Sequence, residues 1–244
     1  MLFAIHQAIP KMANDANTAL IETYEVIRDQ PEQLLTELKK RDNTKDHFLD
    51  VRSWDRDPDF LQRPAVERAA RFIYLNKTCF NGLYRVNAKG QFNVPFGNFK
   101  NPRYADSDNI MSVSEFLNRD VKLFASDYRQ LTRQATKKDF VYFDPPYDPV
   151  SATSSFVSYQ NTGFNQQDQL DLRDEALRLT SIGTPILLSN SDTPLIRSLY
   201  SDQSVFIVES VSVTRSISAR ASSRQKVGEV LISNFGAIDP APLL

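Results

Sequence analysis

The chain has 244 residues and one cysteine, Cys79, so no internal disulfide can form and a reducing cytoplasm is the expected setting. No run of 18 apolar residues occurs, and the opening lacks a signal-peptide pattern, which argues against membrane insertion and secretion. Glycine is scarce, 7 in all, and none precedes Gly82. Excess charge of one sign is also missing. The 29 Lys and Arg against 30 Asp and Glu leave a net −1, which excludes a uniformly basic nucleic-acid binder.

That average hides an asymmetry. Between Arg63 and Arg103 stand Arg63, Arg68, Arg71, Lys77, Arg85, Lys89, Lys100 and Arg103, with Glu67 as the only acid. Concentrated basic charge is the footprint of a phosphate-contacting surface, and its plain alternative is a solvated face. A second acid-free run is Arg215, Arg220, Arg224 and Lys226.

The most informative stretch is Lys138–Pro149. Its first half alternates β-prone apolar residues and reads as a buried strand. Pro145 and Pro146 then stop it with a rigid, extended turn that lacks two backbone donors. Asp144 and Tyr147 thus stand at the C-terminal lip of a strand, where open α/β sheets bind ligands. Asp144 and the Pro145 carbonyl are two acceptors at a fixed angle, suited to grip an –NH2 group. Tyr147 offers a face on which a base stacks for roughly 1–3 kcal/mol. These parts suit methyl transfer to an exocyclic amine without a covalent nucleophile. The plain alternative is a strand end followed by a proline-rich turn.

Elsewhere the pattern is that of an α/β chain. Met12–Asn17 reads as a short strand and a capping turn, followed by helices over 18–28 and from Pro31 to about Lys39. An acidic residue in that turn, Asp15, stands where nucleotide-binding sheets place a ribose contact; a helix cap is its plain alternative. Residues 42–63 read as charged and irregular, 64–77 as a helix. Residues 78–97 read as a β-hairpin turning at Asn87–Gly90, able to serve as a groove-reading ribbon or as a peripheral aromatic cluster. Further strands are expected over 121–125, 185–190, 205–213 and 227–234, with helices to Ala135 and over 166–180 and 193–200. Ser151–Gly163 reads as a Ser/Thr-rich loop containing Phe156 and Tyr159.

Four stretches together resemble the Dam-like DNA adenine methyltransferases across nearly the whole chain. They are Phe80–Arg85 with Phe92–Gly97; Asp144-Pro145-Pro146-Tyr147; Ser151-Ala152-Thr153 through Phe156 to Tyr159; and Leu188-Ser189-Asn190-Ser191-Asp192. The resemblance implies a Rossmann-like sheet for S-adenosylmethionine, with an inserted helical and hairpin target-recognition domain. The expected division is 1–41 and 121–244 for the methyltransferase and 42–120 for the insertion. It further implies an adenine flipped out of double-stranded DNA, stacked on Tyr147, with its amine held by Asp144 and Pro145 in the catalytic turn that includes Pro146.

By the same resemblance, Asp15 holds the cofactor ribose, Asp127 lies near the cofactor adenine, and Asp144 borders both ligands. Phe80 enters the opened stack, with Asn81 near the orphaned base. Arg85 reads a guanine, while Leu83 and Pro95 touch a thymine methyl. Lys89 and Lys100 add to the DNA-binding surface. The implied site is GATC; neither metal nor membrane is an expected partner. The chain departs from the family in lacking the Phe-x-Gly-x-Gly loop and the strand before it. The expectation is therefore a first strand missing from the sheet. Two other readings compete with the enzyme: an inactive DNA-binding remnant, and a methyltransferase of protein glutamine, which usually carries Asn where Asp144 stands.

Overall fold

The computed structural model describes residues 2–4, 9–150, 164–213 and 227–236. The chain divides into two compact units, Met1–Gln130 and Leu131–Leu244.

In the first unit, β1 (Lys11–Asp15) pairs in parallel with β2 (Val121–Ala125), placing Asp15 opposite Ala125. A parallel pair needs a crossover, and here it is long: α1 (Thr18–Asp29), α2 (Pro31–Lys39), α3 (Lys45–Ser53), α4 (Ala65–Thr78) and α5 (Ser107–Leu117) intervene. The expected capping turn closes on Asn17, whose side chain accepts from the Leu20 amide at 3.3 Å. Pro31 occupies the first turn of α2, where its missing N–H costs nothing. The helices close over Leu34, Leu38, Phe48, Val51, Tyr74 and Leu75, each at most 1% exposed.

Two helices correct the sequence reading. Residues 42–63 are not irregular: α3 starts at the cap Thr44, whose hydroxyl accepts from the His47 amide, and buries Phe48 and Val51. Only two apolar anchors on a charged helix hid its period. The helix α5, which the sequence reading did not anticipate, buries Ile110, Ser114 and Leu117 behind the cap Asp106. That is the i, i+4, i+7 spacing of one helical face.

After α6 (Tyr128–Thr132), the second unit forms a four-stranded sheet in the order β3-β4-β6-β5. Here β3 is Val141–Phe143, β4 Ile186–Ser191, β5 Ile207–Val213 and β6 Val227–Ser233. The strand β3 pairs with β4 in parallel, Phe143 opposite Leu188, while β6 runs antiparallel to both neighbours. The helices are α7 (Gln166–Ser181), begun by a reciprocal Asn165–Asp168 capping box, and α8 (Pro194–Leu199). Every residue of β4 is buried, as its unbroken apolar start requires.

Candidate active site and nucleic-acid interface

The proline turn leaves the sheet at the C-terminal end of β3. Phe143 is buried, Asp144 exposed and Tyr147 half-buried, so the polar lip faces outward while its strand is anchored inside. Four bonds from β4, α7 and the residue before α8 fix the turn. Gln169 Nε2 donates to the Pro146 carbonyl at 3.0 Å, and Asn190 Nδ2 donates to Gln169 Oε1 at 3.2 Å. The Asp148 amide donates to Asn190 Oδ1 at 2.9 Å, and the Thr193 hydroxyl donates to Asp148 Oδ2 at 2.6 Å. Gln169 and Asn190 are 3% and 0% exposed, so these bonds lie away from competing water.

This arrangement divides the two prolines. The Pro146 carbonyl already holds the turn to α7, which leaves the Pro145 carbonyl as the acceptor beside Asp144. Asp144 Oδ1 accepts from the Ser189 hydroxyl at 3.1 Å, and the same hydroxyl meets Tyr142 Oη at 3.0 Å. Tyr147 also interacts with Ser189. Burial pushes the Tyr147 and Tyr142 phenols above their ordinary range. Sequence reasoning quoted Ser189 and Asn190 as motif residues but gave them no role. Gln169 was missed, because only the packing of α7 brings it to the turn. Asp192, from the same motif, is an ion-pair partner of Arg197 at 2.7 Å, which holds its carboxyl below the usual range.

Asp15 is the last residue of β1, and Asp127 stands two residues beyond the end of β2. The two strand ends are laced together: the Asn14 side chain donates to the Ser126 carbonyl at 2.9 Å and accepts from the Ser126 hydroxyl at 2.8 Å. Asp15 Oδ1 accepts from the Asn17 amide at 2.7 Å, and the residue is exposed. Its second carboxylate oxygen suits a diol. Asp127 carries a competing role: its carboxylate accepts from the Arg129 amide at 2.8 Å and pairs with the Arg129 guanidinium at 2.8 Å. Any ligand contact through that carboxylate competes with Arg129.

Residues 78–97 form a ribbon, though not a regular hairpin. Two isolated bridges, Cys79 with Phe96 and Val86 with Phe92, replace a continuous ladder. The turn is as expected: Gly90 has φ +75° and its amide donates to the Asn87 carbonyl at 2.9 Å. The second arm spends part of its backbone bonding on the stretch after α3. The Phe92 amide donates to Asp55 at 2.8 Å, and its carbonyl accepts from Arg56 at 2.7 Å. Arg52 donates to the Val94 carbonyl at 3.3 Å.

The first arm opens with a short turn, Phe80–Gly82, in which Asn81 and Gly82 have φ of +56° and +62°. This turn leaves Phe80, Leu83 and Tyr84 exposed at 43%, 41% and 45%, unusual for aromatic and aliphatic side chains standing together. Asn81, Lys89, Pro95 and Lys100 are exposed as well. Arg85 Nε donates to Asn93 Oδ1 at 2.7 Å. Asn93 is therefore a further residue whose role the sequence did not disclose.

The basic stretch needs correcting. Three of its eight cations are held in ion pairs within the unit. Arg71 is 7% exposed, pairs with Asp55 at 2.6 Å and donates to the Val51 carbonyl at 2.9 Å. Arg68 pairs with Glu22, and Arg63 with Glu67 while stacking 4.2 Å from the Trp54 ring centre. Glu22 and Asp55, both outside the counted window, supply two of the three acids. Lys77, Lys89, Lys100 and Arg103 remain at least partly exposed. The second basic run and the Ser151–Gly163 loop, with Phe156 and Tyr159, lie outside the described residues. No group of acidic, histidine or cysteine side chains suited to a metal occurs among the described residues, and none of their helices is long and apolar enough to cross a membrane.

A mixed α/β fold with a carboxylate–proline–tyrosine turn at a strand end belongs to the Rossmann-like methyltransferase class. Comparison with known sequences makes the class specific. A family model for D12 class N6 adenine-specific DNA methyltransferases matches residues 1–217, and the chain belongs to that family. It is 46% identical over 226 residues to the type II methyltransferase M1.LlaDCHI of Lactococcus lactis, covering 91% of this chain and 78% of the relative. It is 37% identical over 235 residues to the type II methyltransferase M.MjaIII of Methanocaldococcus jannaschii, covering 91% and 79%. Against the DNA adenine methylase of Escherichia coli it is 31% identical over 228 residues, covering 93% and 80%.

Proposed function

We propose that this protein transfers a methyl group from S-adenosylmethionine to N6 of an adenine flipped out of duplex DNA, at GATC. The observation that carries the reading is the fixed ledge after β3. Asp144 is exposed there, and Gln169, Asn190 and Thr193 hold the turn's backbone and the Asp148 side chain. S-adenosylmethionine supplies, when bound, a methyl group on a positively charged sulfur. Asp15 fits its ribose, having an exposed carboxylate at the end of β1 that accepts from the Asn17 amide through Oδ1. Asp127 fits the cofactor adenine less directly, because Arg129 occupies its carboxylate.

On this reading Asp144 and the Pro145 carbonyl accept the two protons of the adenine amine. Those bonds draw the nitrogen lone pair out of ring conjugation and aim it. Tyr147 supports the base face, and exclusion of water strengthens each polar contact. Residues 42–120 act as the target-recognition unit, the remainder as the methyltransferase. Phe80 fills the gap left by the flipped base, Asn81 lies beside the orphaned thymine, and Arg85 donates twice to a guanine. Leu83 and Pro95 pack on a thymine methyl, while Lys89 and Lys100 approach phosphates. On this reading the reaction takes place in the cytoplasm of a prokaryotic or phage-infected cell, in keeping with the bacterial and archaeal relatives.

The test combines calorimetry with transfer of labelled methyl groups to duplexes differing at single bases. Cofactor binding and methylation that require an intact GATC are expected, with Asp144→Ala losing methylation but retaining duplex affinity within a few-fold, since phosphates supply most affinity. Duplex binding with no heat from millimolar cofactor assigns the chain instead to the non-catalytic DNA-binding reading.

A further inference from the structure

Ser189 lies on β4, between β3 and β6, and is 4% exposed. Its hydroxyl carries one proton and two lone pairs. The proton goes to Asp144 Oδ1 at 3.1 Å, so the Tyr142 phenol, 3.0 Å away, donates to it, and the Tyr147 phenol interacts with the same hydroxyl. Both substrate-facing parts of the ledge, the carboxylate and the ring, therefore hang on one hydroxyl in the middle of the sheet. The Asp144 side chain would otherwise turn freely at an exposed position. Since Ser189 takes Oδ1, the amine-facing role falls to Oδ2.

We infer that Ser189 is a positioning residue for methyl transfer, setting the rotamer of Asp144 and the plane of Tyr147 through one shared hydroxyl. Tyr142, on β3, is the third member and holds the hydroxyl at 3.0 Å without touching the substrate. The inference rests on the proposed roles of Asp144 and Tyr147, and the controls separate the two.

The experiment measures single-turnover methyl transfer, duplex affinity and the fluorescence of a 2-aminopurine at the target position, in the full chain. Ser189→Ala is expected to slow transfer on the order of 10–100-fold, the scale of one hydrogen bond to a carboxylate. Duplex affinity stays within about two-fold, and the 2-aminopurine signal at saturation changes because its stacking partner is loose. Ser189→Cys, with a weaker donor of similar size, falls between Ala and wild type. Wild-type transfer and an unaltered fluorescence signal in Ser189→Ala overturn the inference. If Ser189→Ala melts early, Tyr142→Phe decides: a fall of about 2–5-fold at wild-type melting temperature supports the hub, and an unchanged rate rejects it. The fluorescence arm stands even where no transfer is detected, because it requires only DNA binding. Full activity of Asp144→Ala refutes the proposed role of Asp144 itself, a result distinct from any behaviour of Ser189.

Discussion

Asn93 accepts from Arg85 Nε at 2.7 Å while its own amide donates to the Arg85 carbonyl at 3.1 Å, so one residue clasps both ends of the arginine. The clasp uses the inner edge of the guanidinium and leaves the outer edge to present as a fork. An arginine held in this way gives up less side-chain entropy on binding than a freely turning one.

Arg85→Ala is expected to reduce discrimination at one base pair by about 1–3 kcal/mol. Asn93→Ala leaves the charge but frees the side chain, and is expected to lose about 1 kcal/mol of that preference. Competition binding with single-base variants of the site measures both. An Asn93→Ala protein with undiminished preference removes the clasp from the account of specificity.

Lys89 and Lys100 are both exposed. Replacing both with alanine is expected to lower the slope of log affinity against log salt by roughly 2, about 0.9 for each phosphate no longer neutralised. Titrations between roughly 50 and 200 mM salt read that slope, and they distinguish these lysines from Arg68 and Arg71. Those two arginines are held in ion pairs, and their replacement would act on stability.

Gly97 closes the ribbon against its own start, its amide donating to the Thr78 carbonyl at 2.8 Å. A Cβ there would stand 2.5 Å from the Cys79 carbonyl oxygen, a backbone atom that no rotamer change can move. Gly97→Ala is expected to destabilise the protein by about 1–3 kcal/mol, read from urea unfolding midpoints. An unchanged midpoint means the ribbon base yields without cost.

Tyr74 is 0% exposed and donates to the Asp42 carbonyl at 2.7 Å; burial pushes its phenol up to about 12. The folded state thus keeps the proton that the unfolded chain releases near pH 10. Its contribution is whole below about pH 10 and declines as pH rises from there to about 12, by roughly 1.4 kcal/mol per unit. Urea unfolding at about pH 9, 10 and 11 should show the decline, and Tyr74→Phe should flatten it. A variant as steep as the wild type traces the slope to other tyrosines.

Local pattern carried much of the molecule. The capping turn at Asn17, Pro31 opening α2, the apolar spacing of α4 and α7 and the β-prone run of β4 are each legible over a few residues. So is the proline turn after β3, because two prolines restrict the backbone wherever they occur. What escaped local reading was partnership. The helix α3 was concealed by its charges because Phe48 and Val51 find their neighbours across the unit, and Arg68 and Arg71 looked like DNA contacts until Glu22 and Asp55 were beside them.

The chain by itself determined which chemical groups exist and where short segments must turn, since backbone restriction and apolar period act within a few residues. Only the tertiary structure decided which of those groups are spent on each other. Hydrogen-bond valence is settled in space: Ser189 lies 45 positions from Asp144 and Gln169 lies 23 from Pro146, separations across which no local pattern reaches.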